Sequence, residues 1–521
     1  MANIAIVKML FGMTITGAQL VGELKAHGHN AKIIYFKRGE MIDLSNYNKD
    51  EICFGDVPMQ SHVVQKGGDY LVETSAYKKI KPHEFHHLVT LLKELNVDAI
   101  GISSLSATMS LAETVSDGLR EHFDVPILWG GTGPTVEPER AIKFADVLCV
   151  GEGEEVIVEI ADRLDKGLPL DGIAGTWFRH SDGSVEKNPK RPVSDLEKIA
   201  MPDWSAESAA LVTGPKLIRQ ANPREFNTDK SYQMMTQRGC PFSCSFCVES
   251  FYQNEFGKKD SLRRMSPEKA IAELRHAKDR LGYTSVTFMD DVFTVNPRWL
   301  EDFLELYKKE INLPFFCYTY PTTHNSKMLK LLVDAGCHAM TMGIQSGSYR
   351  ILKEVYNRPT KVGRVVEAAR EIIDSGIPAS TFDLITKTEF DTEADLQETL
   401  DLLLTIPKEM GSSFYYNTMS YFANYPIQDK FQDSNLLAKT ENISEDTYLF
   451  YYKLYDMTRN PALSNEEIIR ISKDPKYRND HHLLNQYLID DGGIRPSFGT
   501  LIEQGLLRKK GMQSTNAATK T

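Results

Sequence analysis

The chain of 521 residues lacks the features that mark membrane, secreted and nucleic-acid-binding proteins. It has no run of about 18 apolar residues, so no transmembrane helix is predicted. Its N-terminus lacks the basic and apolar regions of a signal peptide, which favours a cytoplasmic protein. The net charge is −11 and no segment concentrates basic residues, so a nucleic-acid partner is not expected.

Cysteine is scarce as well: the chain has seven, and three of them fall in one short run. The other four, Cys53, Cys149, Cys317 and Cys337, are scattered along the chain. They are typical of buried small hydrophobic residues in a reducing compartment. With 41% hydrophobic and 25% charged residues, the composition is that of a large globular enzyme.

The three clustered cysteines are Cys240, Cys244 and Cys247, and no fourth cysteine lies near them. An electron-transfer ferredoxin supplies four cysteines to a [4Fe–4S] cluster. Three cysteines therefore leave one iron open to a cofactor or substrate. The alternatives are a zinc site, which needs four ligands and usually two ligand pairs, and a chance grouping of buried thiols. No second Cys or His pair follows in the next part of the chain.

The first third of the chain alternates short apolar runs with amphipathic stretches, as a parallel sheet with crossover helices does. The predicted strands are residues 4–7, 31–35, 99–102, 126–129 and 147–150. The predicted helices are residues 17–27, 84–95, 111–121 and 154–164. This pattern predicts a doubly wound, Rossmann-like α/β domain over residues 1–165.

Ligands of such sheets bind at the carboxyl ends of the strands, so the loops after the strands are candidate binding sites. Three of these loops are small and rich in glycine or hydroxyl groups. Glycine permits close approach of the backbone to a ligand, and hydroxyls bond to amide-rich ligands. The candidate binding residues are Ser103, Ser104, Thr108, Gly130, Gly131, Thr132, Gly151, Glu152 and Gly153. Glycine-rich turns are nevertheless common in α/β proteins of any function.

Turn-forming residue pairs interrupt the pattern after residue 172, which predicts a linker over residues 166–230. The α/β alternation then resumes. The predicted strands are residues 232–237, 285–289, 315–319, 338–344, 379–385 and 413–421. Six repeats predict a partial (β/α)6 barrel over residues 231–425, with its chemistry at the carboxyl ends of the strands. A mainly helical C-terminal domain over residues 426–510 and a disordered tail over residues 511–521 complete the expected organisation.

The Cys-x3-Cys-x2-Cys run resembles that of the radical S-adenosylmethionine (SAM) enzymes, in which SAM binds the open iron. Residues 130–135 and 151–154 resemble elements of the cobalamin-binding domain found in the cobalamin-dependent members. The chain has no Asp-x-His-x-x-Gly motif, so the histidine that ligates cobalt in many mutases has no counterpart. The resemblance implies three cofactors, namely SAM, cobalamin and a [4Fe–4S] cluster held by Cys240, Cys244 and Cys247.

The resemblance also implies contacts to SAM from Phe246 and from Gln345 with Ser346, and contacts to SAM or substrate from Asp290 or its neighbour Asp291. Gln345 stands where relatives often carry glutamate. No Gly-Gly-Glu element follows the cysteines, and residues 385–390 replace a Gly-x-Pro-Gly-Glu-Thr element. The alternative, purely structural roles are packing of the loop for Phe246 and capping of the following helix for the aspartates.

The function that the resemblance implies is methylation of an unactivated carbon in a small-molecule or natural-product substrate, with SAM used twice. Electrons would come from an external donor such as flavodoxin or ferredoxin. The alternatives are a radical cyclase, a rearrangement or carbon–carbon coupling enzyme, and a radical SAM enzyme whose N-terminal domain no longer binds cobalamin. A cobalamin or redox sensor without turnover is an alternative of another class. A methylthiotransferase is disfavoured, because that group carries three further N-terminal cysteines.

Overall fold

A computed structural model describes residues 1–10, 15–53, 61–66, 69–226, 230–408, 412–489 and 498–503. The expected disordered tail lies outside these residues. Two large sheets organise the described chain, one of nine strands and one of ten, beside a sheet of two short strands. Among the described residues, no helix is both long and apolar enough to cross a bilayer.

The strands, numbered in chain order, are β1 Asn3–Leu10, β2 Asn30–Arg38, β3 Glu40–Asp43, β4 Ile52–Cys53, β5 Ser61–Lys66, β6 Asp69–Lys78, β7 Ala99–Ser103, β8 Ile127–Gly130, β9 Val147–Cys149, β10 Thr176–Arg179, β11 Val185–Lys187, β12 Ala209–Thr213, β13 Lys216–Ile218, β14 Tyr232–Met234, β15 Gln237–Arg238, β16 Arg263–Arg264, β17 Val286–Phe288, β18 Phe315–Thr319, β19 Cys337–Gln345, β20 Ala379–Thr386 and β21 Ser412–Thr418.

The α-helices are α1 Ile15–Ala26, α2 Pro82–Glu94, α3 Met109–Arg120, α4 Thr132–Val136, α5 Pro138–Ala141, α6 Glu154–Asp165, α7 Pro223–Phe226, α8 Val248–Phe256, α9 Lys258–Ser261, α10 Pro267–Asp279, α11 Pro297–Leu306, α12 Ser326–Ala335, α13 Val362–Asp374, α14 Glu393–Thr405, α15 Ser434–Leu437, α16 Glu445–Met457, α17 Asn465–Ser472, α18 Pro475–Asn479 and α19 Phe498–Glu503. Two π-helical turns, Tyr307–Ile311 and Ile351–Val355, follow α11 and precede α13.

The first sheet has a parallel centre in the order β2-β1-β7-β8-β9, which is the doubly wound order expected from the sequence. Apolar side chains cover both of its faces, in two separate cores. The strand order reverses between β1 and β7. In such sheets the ligand crevice lies at this reversal, beyond the carboxyl ends of the strands.

The segment expected to be a linker contributes four strands to the same sheet. β10 and β11 form an antiparallel hairpin on β9, while β12 runs parallel to β2 and pairs with β13. These strands are short, and β11 and β13 alternate exposed with half-buried residues. Their sequence therefore carries little periodic signal, and pairing with the established sheet edges stabilises them.

The second sheet contains six parallel strands in chain order, β14-β17-β18-β19-β20-β21, as the barrel prediction requires. Its core lies between the strands and helices α10 to α14 and α16. An antiparallel hairpin of β5 and β6 then pairs with β21. Both strands lie inside the expected first domain, so that region contributes strands to both sheets.

The C-terminal region is mainly helical, as expected. Its aromatic run lies on α16, and Tyr452 and Tyr455 are among the largest fully buried side chains. These tyrosines pack in the core beside the barrel helices.

Candidate active site between the two sheets

A cavity of about 440 Å³ lies between the first sheet and the barrel. One side is formed by the loops that follow β7, β8 and β9. The other side is formed by residues around the cysteine run, including Arg238, Gly239, Val248 and Asp291. The loops after β7, β8 and β9 and the residues that flank the cysteine run therefore face one shared space.

Most of the candidate residues from the first domain lie on this cavity: Ser103, Ser104, Gly131, Thr132, Gly151, Glu152 and Gly153. Gly130 lines a smaller apolar cavity of about 50 Å³ on the same side of the sheet. Thr108 lies behind the loop, where its hydroxyl accepts a hydrogen bond from Leu105 N at 3.0 Å and contacts Ser104 Oγ at 3.0 Å. Thr108 thus supports the loop instead of lining the cavity.

Gly131 is a position that only glycine suits. Its φ of +108° lies in the left-handed region, and an added Cβ would come within 2.5 Å of the Ser104 carbonyl oxygen. The loops after β7 and β8 therefore pack backbone against backbone, which leaves their amide groups close to the cavity.

The cysteine run follows β15, near the carboxyl end of the first barrel strand, as predicted. Cys247 is the N-cap residue of α8, so the positive end of this helix dipole faces the thiols. Cys244 is buried, while Cys240 and Cys247 are half-buried. Gly239, just before the run, has a φ of +81°, and an added Cβ would meet the Ser261 carbonyl oxygen at 2.1 Å.

Side chains on α8 fix the backbone of the run. Gln253 Nε2 donates to the carbonyls of Cys240 and Phe242, the second at 2.8 Å, and Ser250 Oγ donates to Cys244 O at 2.6 Å. From the other side, Ser245 N donates to Tyr356 O at 3.0 Å. The loop is thus held in shape by contacts that do not use the thiols.

The thiols are partly withdrawn from water, and burial raises the pKa of Cys240 to about 12. Uncompensated thiolates would be disfavoured there, so the donor set suits a cationic iron cluster that neutralises them. Arg358 lies beside the cysteines. Its Nη1 is 3.8 Å from Cys244 Sγ, and its guanidinium is 3.9 Å from the Tyr320 ring centroid. Tyr320 in turn stacks on Phe242 at 3.7 Å.

Among the described residues, no three His, Cys, Asp or Glu side chains converge on a single metal ion. A cubane cluster does not need such convergence, because each of its thiolates binds a different iron. The three cysteines on one braced loop, with apolar shielding, fit the cluster implied by their spacing.

The two aspartates after β17 take different places. Asp290 is fully buried and accepts a hydrogen bond from Thr236 Oγ1 at 2.8 Å. Asp291 lines the cavity beside Glu249; its side chain is open to that space, but desolvation by the surrounding protein, followed by the charge of Asp290, raises its pKa. Asp291 and not Asp290 therefore lines the cavity, and the cofactor contact expected from Asp290 stays a prediction.

The residues expected to contact SAM are Gln345, Ser346 and Phe246. The first has an unusual backbone conformation, and the other two make contacts within the protein. Gln345 has a φ of +70°, a left-handed conformation that is unusual for glutamine and typical of constrained functional positions. Ser346 is buried and accepts a hydrogen bond from Ser348 N at 3.1 Å. The Phe246 ring packs edge-on against Tyr356, with ring centroids 5.2 Å apart.

Glu152 has a partner set that the sequence did not indicate. Arg238 lies 2.9 Å from Glu152 Oε1, Arg263 pairs with the same carboxylate, and Ser194 N donates to it at 2.7 Å. Burial alone would raise the pKa of Glu152, but the two arginines lower it to about 2. This ion network joins the first sheet to the strand that precedes the cysteines.

Sequence reasoning also missed two cavity residues, Lys8 and Tyr252. Lys8 is 3% exposed at the reversal between β1 and β7, and within the described chain its Nζ bonds to Ser103 Oγ at 3.2 Å. Burial lowers the pKa of Lys8 to about 8. Tyr252 on α8 donates to Thr132 Oγ1 at 3.2 Å, across the two domains. The available signal for Lys8 was a lysine that directly follows the apolar run of residues 4–7.

Comparison with known families agrees with this arrangement. Residues 234–403 match the model of the radical SAM superfamily, and residues 75–161 match the model of the B12 binding domain. The matches lie in the barrel and in the first sheet, on either side of the cavity.

The chain is similar to curated proteins with different names, and a methyltransferase and a cyclase are two of them. An uncharacterised methyltransferase of Pyrococcus horikoshii is 30% identical over 275 residues, which are 52% of this chain and 56% of the relative. The anaerobic magnesium-protoporphyrin IX monomethyl ester cyclase of Rubrivivax gelatinosus is 24% identical over 368 residues, or 68% of this chain and 61% of the relative. This chain thus spans less than two thirds of either protein.

Among solved structures, the cobalamin-dependent S-adenosylmethionine radical enzyme OxsB, with aqua-cobalamin and S-adenosylmethionine bound, superposes with a TM-score of 0.62. The alignment covers 92% of this chain and 72% of OxsB at 15% identity, so it shows a shared fold. The chain therefore contains a B12 binding domain followed by a radical SAM domain, in the expected order, and the cofactors of these two domains are cobalamin, SAM and a [4Fe–4S] cluster.

Proposed function

We propose that this protein is a methyltransferase that methylates an unactivated carbon of a small-molecule or natural-product substrate. The observation that carries the proposal is the cavity shared by the strand-end loops of the first sheet and the surroundings of the cysteine run. When bound there, the cluster and SAM supply a hydrogen-abstracting 5′-deoxyadenosyl group, and cobalamin supplies a transferable methyl group.

The residues of this chain have distinct parts in the proposal. Cys240, Cys244 and Cys247 hold the cluster, and the α8 contacts keep their loop fixed. The strand-end loops hold cobalamin, and Asp291 accepts hydrogen bonds from SAM. The surrounding apolar side chains exclude water, which would otherwise quench a reactive radical.

Similarity to a methyltransferase favours methylation, while similarity to a cyclase keeps ring formation as the second candidate. Both use the same cofactor site, so the residues lining the cavity do not separate them. A one-electron donor such as flavodoxin or ferredoxin is proposed as the partner that reduces the cluster.

The test is anaerobic reconstitution with iron, sulfide and hydroxocobalamin, followed by reduction with SAM that carries a trideuterated methyl group. We expect 5′-deoxyadenosine and a labelled methyl group on cobalamin, both detected by mass spectrometry. Cys240→Ala should abolish the deoxyadenosine, and Cys53→Ala, a cysteine far from the run, should leave it unchanged.

Other outcomes point elsewhere. Deoxyadenosine without retained cobalamin would indicate a radical enzyme whose first domain no longer uses that cofactor. Deoxyadenosine with retained but unlabelled cobalamin would favour cyclisation, rearrangement or coupling. The absence of both products from fully loaded protein would contradict catalysis and favour a sensor.

A further inference from the structure

The hairpin of β5 and β6 brings residues from the N-terminal part of the chain into the barrel wall. β5 pairs antiparallel with β21, the last parallel strand, so that Val63 lies opposite Tyr416 and His62 opposite Asn417. Since β21 would otherwise be an open edge, the hairpin extends the wall of the partial barrel.

Strand alternation decides which of these side chains face the barrel interior. Val63 and Tyr416 belong to the core beneath the helices, so their neighbours on each strand point to the opposite face. The His62 ring lies 4.4 Å from the Tyr415 ring, and His62 Nδ1 lies 3.1 Å from Asn417 Oδ1. The hairpin thus supplies an imidazole to the interior wall.

Asp383 lies on the same wall, directly opposite Tyr415 in the pairing of β20 with β21. Its neighbours Phe382 and Leu384 are fully buried on the helix side, whereas Asp383 is half-buried. Tyr415 is 40% exposed although it lies between two paired strands. The exposed phenol shows that this part of the interior wall is accessible to a ligand.

This accessible part of the wall is connected to the cysteine loop through β19 and Arg358. Asp383 is paired with Gly343 on β19, two residues before Gln345. Arg358 donates to the Gly343 carbonyl and contacts Cys244 Sγ, and its guanidinium lies over the Tyr320 ring. Arg358 is therefore committed to the cluster loop, although its charge acts on Asp383.

The ionisable groups of the wall are predominantly acidic. Burial raises the pKa of Asp383 to about 7, with Arg358 opposing the shift, so a cationic ligand would favour its ionised form. Glu73 on β6 lies opposite His62 and is a second buried carboxyl group. Burial lowers the pKa of His62, which keeps its imidazole uncharged at neutral pH.

We infer that His62, Tyr415 and Asp383 form a substrate subsite that takes a small molecule with an ammonium group beside an apolar or aromatic body. Asp383 pairs with the ammonium, and the His62 and Tyr415 rings contact the body. The assignment of this subsite to the substrate rests on the proposed function. Its preference for an ammonium group is measured independently of that function.

The experiment uses the protein loaded with cluster, hydroxocobalamin and SAM, and three probes with one phenyl ring and the same chain length. These are 3-phenylpropylamine, 3-phenylpropanol and 3-phenylpropionate, titrated at pH 8 by calorimetry and by saturation-transfer NMR. We expect the amine to bind at least about tenfold more tightly than the carboxylate, which corresponds to 1.4 kcal/mol.

Asp383→Asn should reduce the affinity for the amine to that for the alcohol, and His62→Ala should weaken all three probes. Asp374→Asn and His83→Ala, exposed residues on helices, are the matched controls and should change nothing. Iron and cobalamin contents of each variant show that it is folded and loaded.

The inference is overturned if the amine has no advantage, if Asp383→Asn keeps that advantage, or if none of the probes binds. Amine selectivity in protein that produces no 5′-deoxyadenosine would refute the proposed function while the subsite stands. Active protein without amine selectivity would refute the subsite alone.

Discussion

Substitution of Gly239 by alanine gives a direct test of how the chain positions its cluster cysteines. Gly239 immediately precedes Cys240, has a φ of +81°, and places an added Cβ 2.1 Å from the Ser261 carbonyl oxygen. Gly376, which follows α13, has a φ of +88° with nothing within 4 Å of an added Cβ. The two glycines share a backbone conformation and differ in the space around them.

The expected costs follow from that difference. An L-residue in the left-handed region loses about 1–2 kcal/mol, which both alanine variants incur. At Gly239 the Ser261 backbone must also retreat by roughly 1 Å, and forced displacements of this kind cost about 1–3 kcal/mol more. Gly239→Ala should therefore be destabilised by about 2–5 kcal/mol, against about 1–2 kcal/mol for Gly376→Ala.

The functional consequence should be selective. The strain at Gly239 is relieved by moving the loop that carries Cys240, so Gly239→Ala should bind less iron and sulfide after anaerobic reconstitution. Urea unfolding of the apoproteins measures stability, and iron and sulfide assays with visible absorption measure the cluster. Equal cluster content and equal urea midpoints in the two variants would refute the reasoning.

Three further predictions concern charges around the cavity. Glu152→Gln should destabilise the protein by about 3 kcal/mol at pH 7, because it removes the carboxylate that pairs with two arginines. Since the folded pKa of Glu152 is lowered to about 2, this difference from the wild type, measured by urea unfolding, should shrink as the pH falls from about 5 towards 2. Lys8→Met should weaken hydroxocobalamin binding about tenfold by absorbance titration, and wild-type affinity should fall above pH 8, where the ammonium is lost. Arg358→Gln should lower the cluster reduction potential by about 60 mV in an EPR titration, since it removes a cation beside Cys244.

Matched variants control these predictions. Glu155→Gln breaks an exposed pair with Arg191, 3.4 Å apart, and should cost less than about 1 kcal/mol. Lys32→Met and Arg298→Gln remove cations outside the cavity lining and should leave cofactor affinity and potential unchanged. A Lys8→Met protein with undiminished cobalamin affinity would show that the Lys8 ammonium, although it lines the cavity, does not contribute to cobalamin binding.

The parts of the fold that the sequence predicted are those whose signal is local. The parallel strands β1, β2, β7, β8 and β9 are apolar over consecutive residues, because both faces of that sheet are covered. In strands β18 and β20, residues that face the core alternate with residues that face the barrel interior. Both strands were nevertheless predicted from the sequence because they contain many apolar residues. The polar strands β11 and β13 lacked such a signal and were taken for linker.

The spacing of Cys240, Cys244 and Cys247 by itself determined the kind of cofactor, because it is fixed by the covalent chain and needs no knowledge of the fold. Tertiary structure decided what surrounds that loop. Asp291 instead of Asp290 lines the cavity, Glu152 joins two arginines, and His62 reaches the barrel wall through pairing with a strand more than 350 residues later. Such contacts depend on strand register and side-chain direction between distant segments, which one local stretch of sequence does not encode.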